Sequence, residues 1–311
     1  MDVFYDFTEL ELLQQSVITV GAFDGVHKGH QSIIRAVTEQ ARLCGSNSTL
    51  VTFHPHPATI LVPGKKYDLL TTLEEKLEIF KELGLDRVVV ISFTDEFRQL
   101  DSLQFVCDIL FKRIGFCDFV IGYDHAFGKN REGTVSTLRS LADELKFNVI
   151  EVPELVDSDF SIKSSSIRQL LKRGEVKSAS YALGRPFELR GMVVVGQGRG
   201  RMMGYPTANI HINSSDKLIP RPGVYAVKVQ TENNSHHGMC NIGFRPTFND
   251  NSDMSIEAHI FERIDDLYDK QIHIQFMEYV RDEQKFNSME ELKIQLDDDR
   301  QVSRRALNAF E

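Results

Sequence analysis

GAFDGVHKGH, residues 21–30, follows an apolar run that carries Val17, Ile18 and Val20. The run ends, Gly21 and Gly25 permit a tight turn, and a helical pattern begins near Gly29. A helix opening there points its unsatisfied N–H groups and positive dipole end back at the turn, which makes the junction a place to hold phosphate. His27 and His30 flank that position, and Gly29 between them lets a flat base or a triphosphate approach the backbone closely. Most histidine pairs at this spacing are surface or core residues. Position at a strand-to-helix junction after two glycines favours the anion site.

Working outward, the chain up to about residue 184 alternates short β-branched runs with helical patterns. Val17–Phe23, Thr49–Phe53, Arg87–Phe93, Asp118–Gly122 and Asn148–Val152 read as strands, apolar almost throughout, as in a sheet covered on both faces. Gln31–Leu43, Leu73–Leu83, Leu103–Ile114 and Val135–Leu145 carry apolar residues at three- and four-residue intervals and read as helices. The alternation predicts a Rossmann-like parallel α/β domain, whose ligands bind beyond the carboxyl ends of its strands.

After Pro186 the rhythm changes. Leu189–Val195, Ala208–Ile212, Val224–Val229, His237–Ile242, Ile256–Phe261 and Ile272–Tyr279 read as short strands between glycine, proline and asparagine turns, which predicts an antiparallel barrel or sandwich. Met289–Phe310 reads as one or two closing helices, and Val176–Leu183 as a helix before a boundary near Gly184. The expected domains are residues 1–184 and 185–311.

Composition narrows the function. The net charge is −9, and the deficit is shared: residues 1–184 hold 20 Lys+Arg against 26 Asp+Glu, residues 185–311 hold 16 against 19. Neither half is a basic module, which argues against nucleic-acid or membrane partners. A bound polyanion must be small and caught by local glycines, helix ends and a few arginines. Cys44, Cys107, Cys117 and Cys240 fall at no metal-ligand spacing, and no run of eighteen apolar residues occurs, so the expectation is a soluble, cytoplasmic protein.

Three further clusters fall where the parallel strands should end. Thr52–Pro57 holds His54 and His56, which resemble a metal pair, though the prolines favour a rigid loop. Gly122-Tyr123-Asp124 offers a carboxylate to a ligand, or a plain turn. Ile162–Arg168 puts hydroxyls at a helix start with an arginine close behind. Ser164 taken alone reads as an N-cap; Arg168 beside it suits a phosphate.

In order, GxFDGxHxGH, TFxPHP, GxDxxFG and SSxxIR resemble the bacterial bifunctional riboflavin kinase/FAD synthetases, within the nucleotidylyltransferase class that carries HxGH and ISSTxIR motifs. The resemblance covers nearly the whole chain. It implies that the first domain adenylylates FMN, with His27 and His30 stabilising charge on the ATP phosphates and Ser164, Ser165 and Arg168 holding the same triphosphate. Gly21, Phe23 and Gly29 complete the implied ATP site, and Asp124 the flavin site. Lys163 stands at the first serine of ISSTxIR, and His125 where the family usually has phenylalanine.

The second half has no P-loop, and Gly196–Gly200 lacks the spacing of a dinucleotide fingerprint. Gly196 through Asn209 instead looks like the GxxxGRxxGxPTAN motif of riboflavin kinases. The resemblance extends to Gly184–Phe187, Pro222–Tyr225, Asn241–Phe248, Ile256–His259, Tyr279–Arg281 and Lys285-Phe286. It implies a kinase that uses Mg-ATP, with Gly196, Gly200, Arg201 and Pro206 at the nucleotide and Thr207 and Asn209 at Mg²⁺. Glu257 would be the general base for the ribityl hydroxyl, and Arg281 would lie near the flavin. On pattern alone Glu257 and His259 read as a solvated strand face opposite Ile256, Ala258 and Ile260. The expected substrates are riboflavin, FMN and ATP, and the products FMN and FAD. A kinase-only member of the family, a nucleotidylyltransferase acting on another phosphate ester, and a flavin-binding regulator remain as alternatives.

Overall fold

In a computed structural model, residues 1–5, 16–61, 64, 66–123, 127–129, 132–155, 162–196, 200, 203–232, 234–244, 254–262, 264 and 267–309 are described. The N-terminal part is built on a six-stranded parallel sheet: β1 (Asp2–Tyr5), β2 (Ser16–Val20), β3 (Asn47–His54), β4 (Arg87–Ser92), β5 (Asp118–Gly122) and β6 (Asn148–Val152), in the spatial order β1-β4-β3-β2-β5-β6. Chain order runs from β2 outward to β3 and β4, then jumps back across β2 to β5. The topological switch point therefore lies between β2 and β5, where open α/β sheets place their ligands.

Alternate residues of the central strands feed two apolar layers. Ile18, Val20, Val51, Val89, Phe119 and Ile121 face one layer; Val17, Leu50, Val88, Val90 and Val120 face the other. This period of two, with both faces apolar, is what a doubly covered sheet requires. Helices α1 (Lys28–Cys44) and α3 (Leu73–Glu82) close the second layer through Ile34, Val37 and Phe80. A π-helix over Gln104–Ile114 and helix α4 (Val135–Leu145) close the first through Leu110 and Leu138. A short helix α2 (Pro57–Leu61) lies between β3 and α3.

Several boundaries differ from the sequence reading. The first predicted strand stops at Val20, because the chain turns at Phe23 and Val26, both at positive φ. β6 is half-exposed, since it is an edge strand with one neighbour, and β1 is a second edge too short to show a period.

The chain divides into two compact units, Met1–Ser164 and Ser165–Glu311. The second contains α5 (Ser164–Lys172, from its second residue), α6 (Val176–Leu183), and a closed antiparallel barrel of β7 (Phe187–Val194), β8 (Ala208–His211), β9 (Gly223–Gln230), β10 (Ser235–Phe244), β11 (Met254–Ile260) and β12 (Gln271–Arg281), ordered β10-β11-β8-β7-β12-β9. A single closing helix, α7 (Met289–Asn308), starts at an N-cap: Ser288 Oγ accepts from Glu291 N at 3.1 Å. It packs Leu307 on Ala226 and Met277. Within this unit Arg221 N donates to Leu171 O at 3.1 Å and Lys177 pairs with Glu278 at 2.8 Å, so α5 and α6 are fastened to the barrel.

Candidate functional sites

In the N-terminal unit the turn after β2 delivers two histidines to the first turn of α1. His27 is the N-cap, and its Nδ1 accepts from His30 N at 3.3 Å. With Nδ1 accepting, the proton of the neutral ring sits on Nε2, a donor for an anion. The His27 and His30 rings stack with centroids 3.6 Å apart and planes 19° apart. A Cβ on Gly29 would lie 3.3 Å from the His27 ring, so the glycine leaves the imidazole its place. The first turn of α1 has no acidic residue to oppose an incoming anion.

Phe23, expected at ATP, is buried and meets His30 edge-on at 5.1 Å and Phe80 at 6.0 Å; it supports the histidine from below. Gly21 N donates to Val51 O, which ties the start of the turn to β3. Ser164 Oγ donates to Asp24 O at 2.8 Å, bringing the start of α5 to the histidine turn. Ser165 is exposed and Arg168 half-buried, one and four residues further along that helix. Lys163 Nζ sits 5.9 Å over the ring of Tyr123, whose hydroxyl donates to Glu154 at 2.5 Å. His56 stacks on Tyr67 at 4.6 Å, and its Nδ1 accepts from Ala58 N, so this ring is part of a built loop. Asp124 and His125 lie outside the described residues.

In the barrel the site is a row across strands. Asn209 of β8 and Asn241 of β10 both register with Glu257 of β11. Thr207 Oγ1 reaches the Glu257 carboxylate at 3.4 Å. Thr207, Asn209 and Glu257, separated by up to fifty residues in sequence, are thus brought together. A Cβ on Gly196 would fall 2.0 Å from Asn209 Nδ2, so only glycine lets that backbone lie against the amide. Gly200 O accepts from Tyr205 N at 2.9 Å, closing the loop before Pro206. Arg201 lies outside the described residues, as does the Arg245–Phe248 part of the motif.

On the second face of β11 Ser255 and Glu257 are half-buried and His259 is buried, so the solvated-face alternative fails at His259. His259 is buried against the rings of Tyr205 and Phe261, at 4.9 and 5.9 Å, and its Nδ1 meets Pro206 O at 2.8 Å. A carbonyl only accepts, so His259 carries its proton on Nδ1 and pins the residue before Thr207. Burial, with Arg300 and Arg304 nearby, lowers the pKa of this histidine. Tyr205 donates to Asp297, and burial followed by that bond pushes its phenol up to about 12.

Arg281 makes two bonds to the buried Asp299, at 2.8 and 2.7 Å, and joins β12 to α7. Its guanidinium also lies 5.8 Å from the Phe286 ring centre. Asn241 is the residue that sequence reasoning quoted in a motif without giving it a role; its register beside Glu257 was the missing signal.

A family model described as FAD synthetase matches residues 10–166, and one described as riboflavin kinase matches residues 183–307. The bifunctional riboflavin kinase/FMN adenylyltransferase of Bacillus subtilis (strain 168) is 37% identical over 290 residues, covering 92% of this chain and 91% of that protein. The protein of the same name from Listeria monocytogenes serovar 1/2a is 38% identical over 289 residues, covering 93% and 91%. Among solved structures, the crystal structure named macrolide-efflux protein from Streptococcus pneumoniae superposes with a TM-score of 0.90 at 31% identity, covering 97% of this chain and 98% of that one. No helix among the described residues is long and apolar enough to cross a membrane. With both models matched in tandem and relatives above 30% identity along nine-tenths of its length, the chain belongs to the bifunctional riboflavin kinase/FMN adenylyltransferase family.

Proposed function

We propose that this chain phosphorylates riboflavin to FMN in residues 185–311 and adenylylates FMN to FAD in residues 1–184, consuming ATP in each step in the cytoplasm. The observation that carries this reading is the presence of two distinct constellations, the histidine turn of the parallel-sheet unit and the Thr207–Glu257 row of the barrel, each suited to one of the two transfers.

Adenylyl transfer needs the FMN phosphate oxygen aligned on the α-phosphorus and the charge of departing pyrophosphate neutralised. The amides at the start of α1, His27 Nε2 and His30 supply donors for that charge. Ser164 is tied to the histidine turn, and the resemblance of the SSxxIR segment to the family motif assigns Ser165 and Arg168 to the triphosphate. Gly21 and Gly29 keep the backbone open to the nucleotide, and Asp124 is assigned to the flavin.

Phosphoryl transfer needs a base for the ribityl 5′-hydroxyl and a clamp on the nucleotide. Glu257 is the base. Gly196, Gly200, Arg201 and Pro206 lie along the nucleotide. Thr207 and Asn209 offer neutral oxygens beside a carboxylate, a hard donor set that fits Mg²⁺ carrying phosphates and water. Bound there, Mg²⁺ would neutralise phosphate charge. Arg281 orders the end of β12 through Asp299, and from that position it borders the flavin.

Product analysis after mixing the full chain with riboflavin and Mg-ATP tests the reading. FAD is the expected end product, with FMN preceding it. FMN alone would leave only the kinase, and ATP turnover with neither product would remove both assignments.

A further inference from the structure

Lys76, on α3, is only 4% exposed, yet no substrate in the proposed reaction calls for a cation beneath the sheet's end. Its Nζ donates to Ala22 O at 3.0 Å and lies 3.4 Å from Thr52 Oγ1. The charged group facing it is Asp24, also buried; from β3 comes a hydroxyl and from the turn a carbonyl. Glu75, its neighbour on α3, closes the capping box with Thr72 N. Asp24 in turn accepts from Leu70 N, Thr71 N and Thr71 Oγ1 at 3.0 to 3.3 Å, while Gly25 N donates to Thr71 Oγ1.

This network surrounds a strained backbone. Phe23 and Val26 stand at φ 49° and 40°, a region that L residues rarely adopt and a β-branched residue least of all. Such a conformation persists only where its surroundings over-determine it. Val26 directly precedes the N-cap His27, Gln31 Nε2 holds Val26 O at 2.9 Å, and the Phe23 ring supports His30. A relaxation of the turn therefore reaches His27 through the adjoining peptide and His30 through the Phe23 ring.

We propose that Lys76 is a positioning residue for adenylyl transfer, its ammonium bracing the Gly21–Gly25 turn so that His27 and His30 are held toward the triphosphate. The inference rests on the assignment of those histidines to ATP. A stability role alone does not account for the residue: pairing with Asp24 offsets a buried charge, but it does not call for the bond that the ammonium makes to Ala22 O in the turn leading to the histidines. Burial brings the ammonium down to about 8, with Asp24 opposing the shift. From about pH 8 up to the unfolded value near 10.5, the folded state has released a proton that the unfolded state retains. This group's contribution to stability therefore rises with pH in that window, while the brace loses its charge.

The test uses Lys76→Met, Lys76→Arg and His30→Ala in the full chain, with FMN supplied for adenylylation and riboflavin phosphorylation followed in parallel. Because it leaves the buried Asp24 without this cation, Lys76→Met should lower the unfolding midpoint while it leaves the kinase unchanged. It should lower the adenylylation kcat by about 10- to 100-fold, the scale of a small misplacement of catalytic groups. The parent should lose adenylylation above about pH 8 without losing stability, and Lys76→Arg, which stays charged, should lack that alkaline decline. A Lys76→Met enzyme with parental kcat overturns the proposal. If that variant does not fold, a Lys76→Arg enzyme that keeps the parental decline overturns it instead. Unchanged adenylylation in His30→Ala would bring down the ATP assignment itself, a failure distinguishable from an inert Lys76 beside a damaging His30→Ala.

Discussion

On the proposed assignments, the parallel-sheet unit and the barrel unit handle phosphate in opposite ways. In the first, the site is local: one turn and one helix start supply amides and two histidines within ten residues, at the switch point of the sheet. In the second, the site is a row of polar side chains set by strand register, with Asn209, Glu257 and Asn241 contributed by three strands. The difference teaches where each site is vulnerable. A helix-end site depends on the shape of its turn, and a barrel site on the pairing of strands far apart in sequence.

The largest expected effect lies in the barrel. Glu257→Gln keeps the shape and removes the proposed base, so riboflavin phosphorylation should fall by about 10²- to 10⁴-fold while adenylylation of supplied FMN is untouched. Rates measured separately for the two half-reactions check this, and a parental kinase rate would remove Glu257 from the chemistry. In the other unit, His30→Ala or Arg168→Ala should slow FAD formation by roughly 10²-fold, the cost of one strong electrostatic donor, with FMN formation near normal. Equal FAD synthesis by parent and variants would mean the phosphates sit elsewhere.

A truncation sharpens the comparison. Residues 165–311 keep α5 and α6 on the barrel, whereas residues 185–311 remove the buried faces of Val176, Ala179, Ala182 and Leu183. Both fragments should bind riboflavin and make FMN, and the longer should unfold at a higher temperature, by a margin read in thermal melts. Equal midpoints would show that the two helices are passengers. The smallest effect concerns His259, whose folded pKa is depressed. Its contribution is present above the unfolded value of about 6.5 and is lost as pH falls through the lower folded value. His259→Gln should therefore flatten the acid side of the barrel's stability profile, measured by melts between pH 5 and 8; an unaltered profile would contradict the neutral, pinning role.

Much of this was legible because the parallel unit advertises itself in contiguous segments. Asp118–Gly122, Val135–Leu145 and Asn148–Val152 run to the same residues in sequence and structure, since glycine and threonine punctuate a clear change of period. β1 stayed hidden because four edge residues show no alternation. The turn at Phe23 looked like strand, since its side chain is apolar and buried like a strand residue's, and its positive φ is invisible in composition. In the barrel, alternation identified β11 but not the burial of His259, because the Tyr205 ring that helps cover it comes from a distant segment. Asn241 and Lys76 were silent for a related reason: one acquires its place through register, the other through burial beneath a distant turn.

The central claim is that one chain carries two separable phosphate-transfer sites, and mixing two inactivated forms tests it most directly. Glu257→Gln alone should convert FMN to FAD and leave riboflavin largely untouched, and His30→Ala alone should stop at FMN. Combined in one tube with riboflavin and Mg-ATP, the pair should make FAD, as FMN released by the second variant is taken up by the first. Loss of both activities in either single variant, or no FAD from a mixture whose components each retain their own half-reaction, would contradict the account.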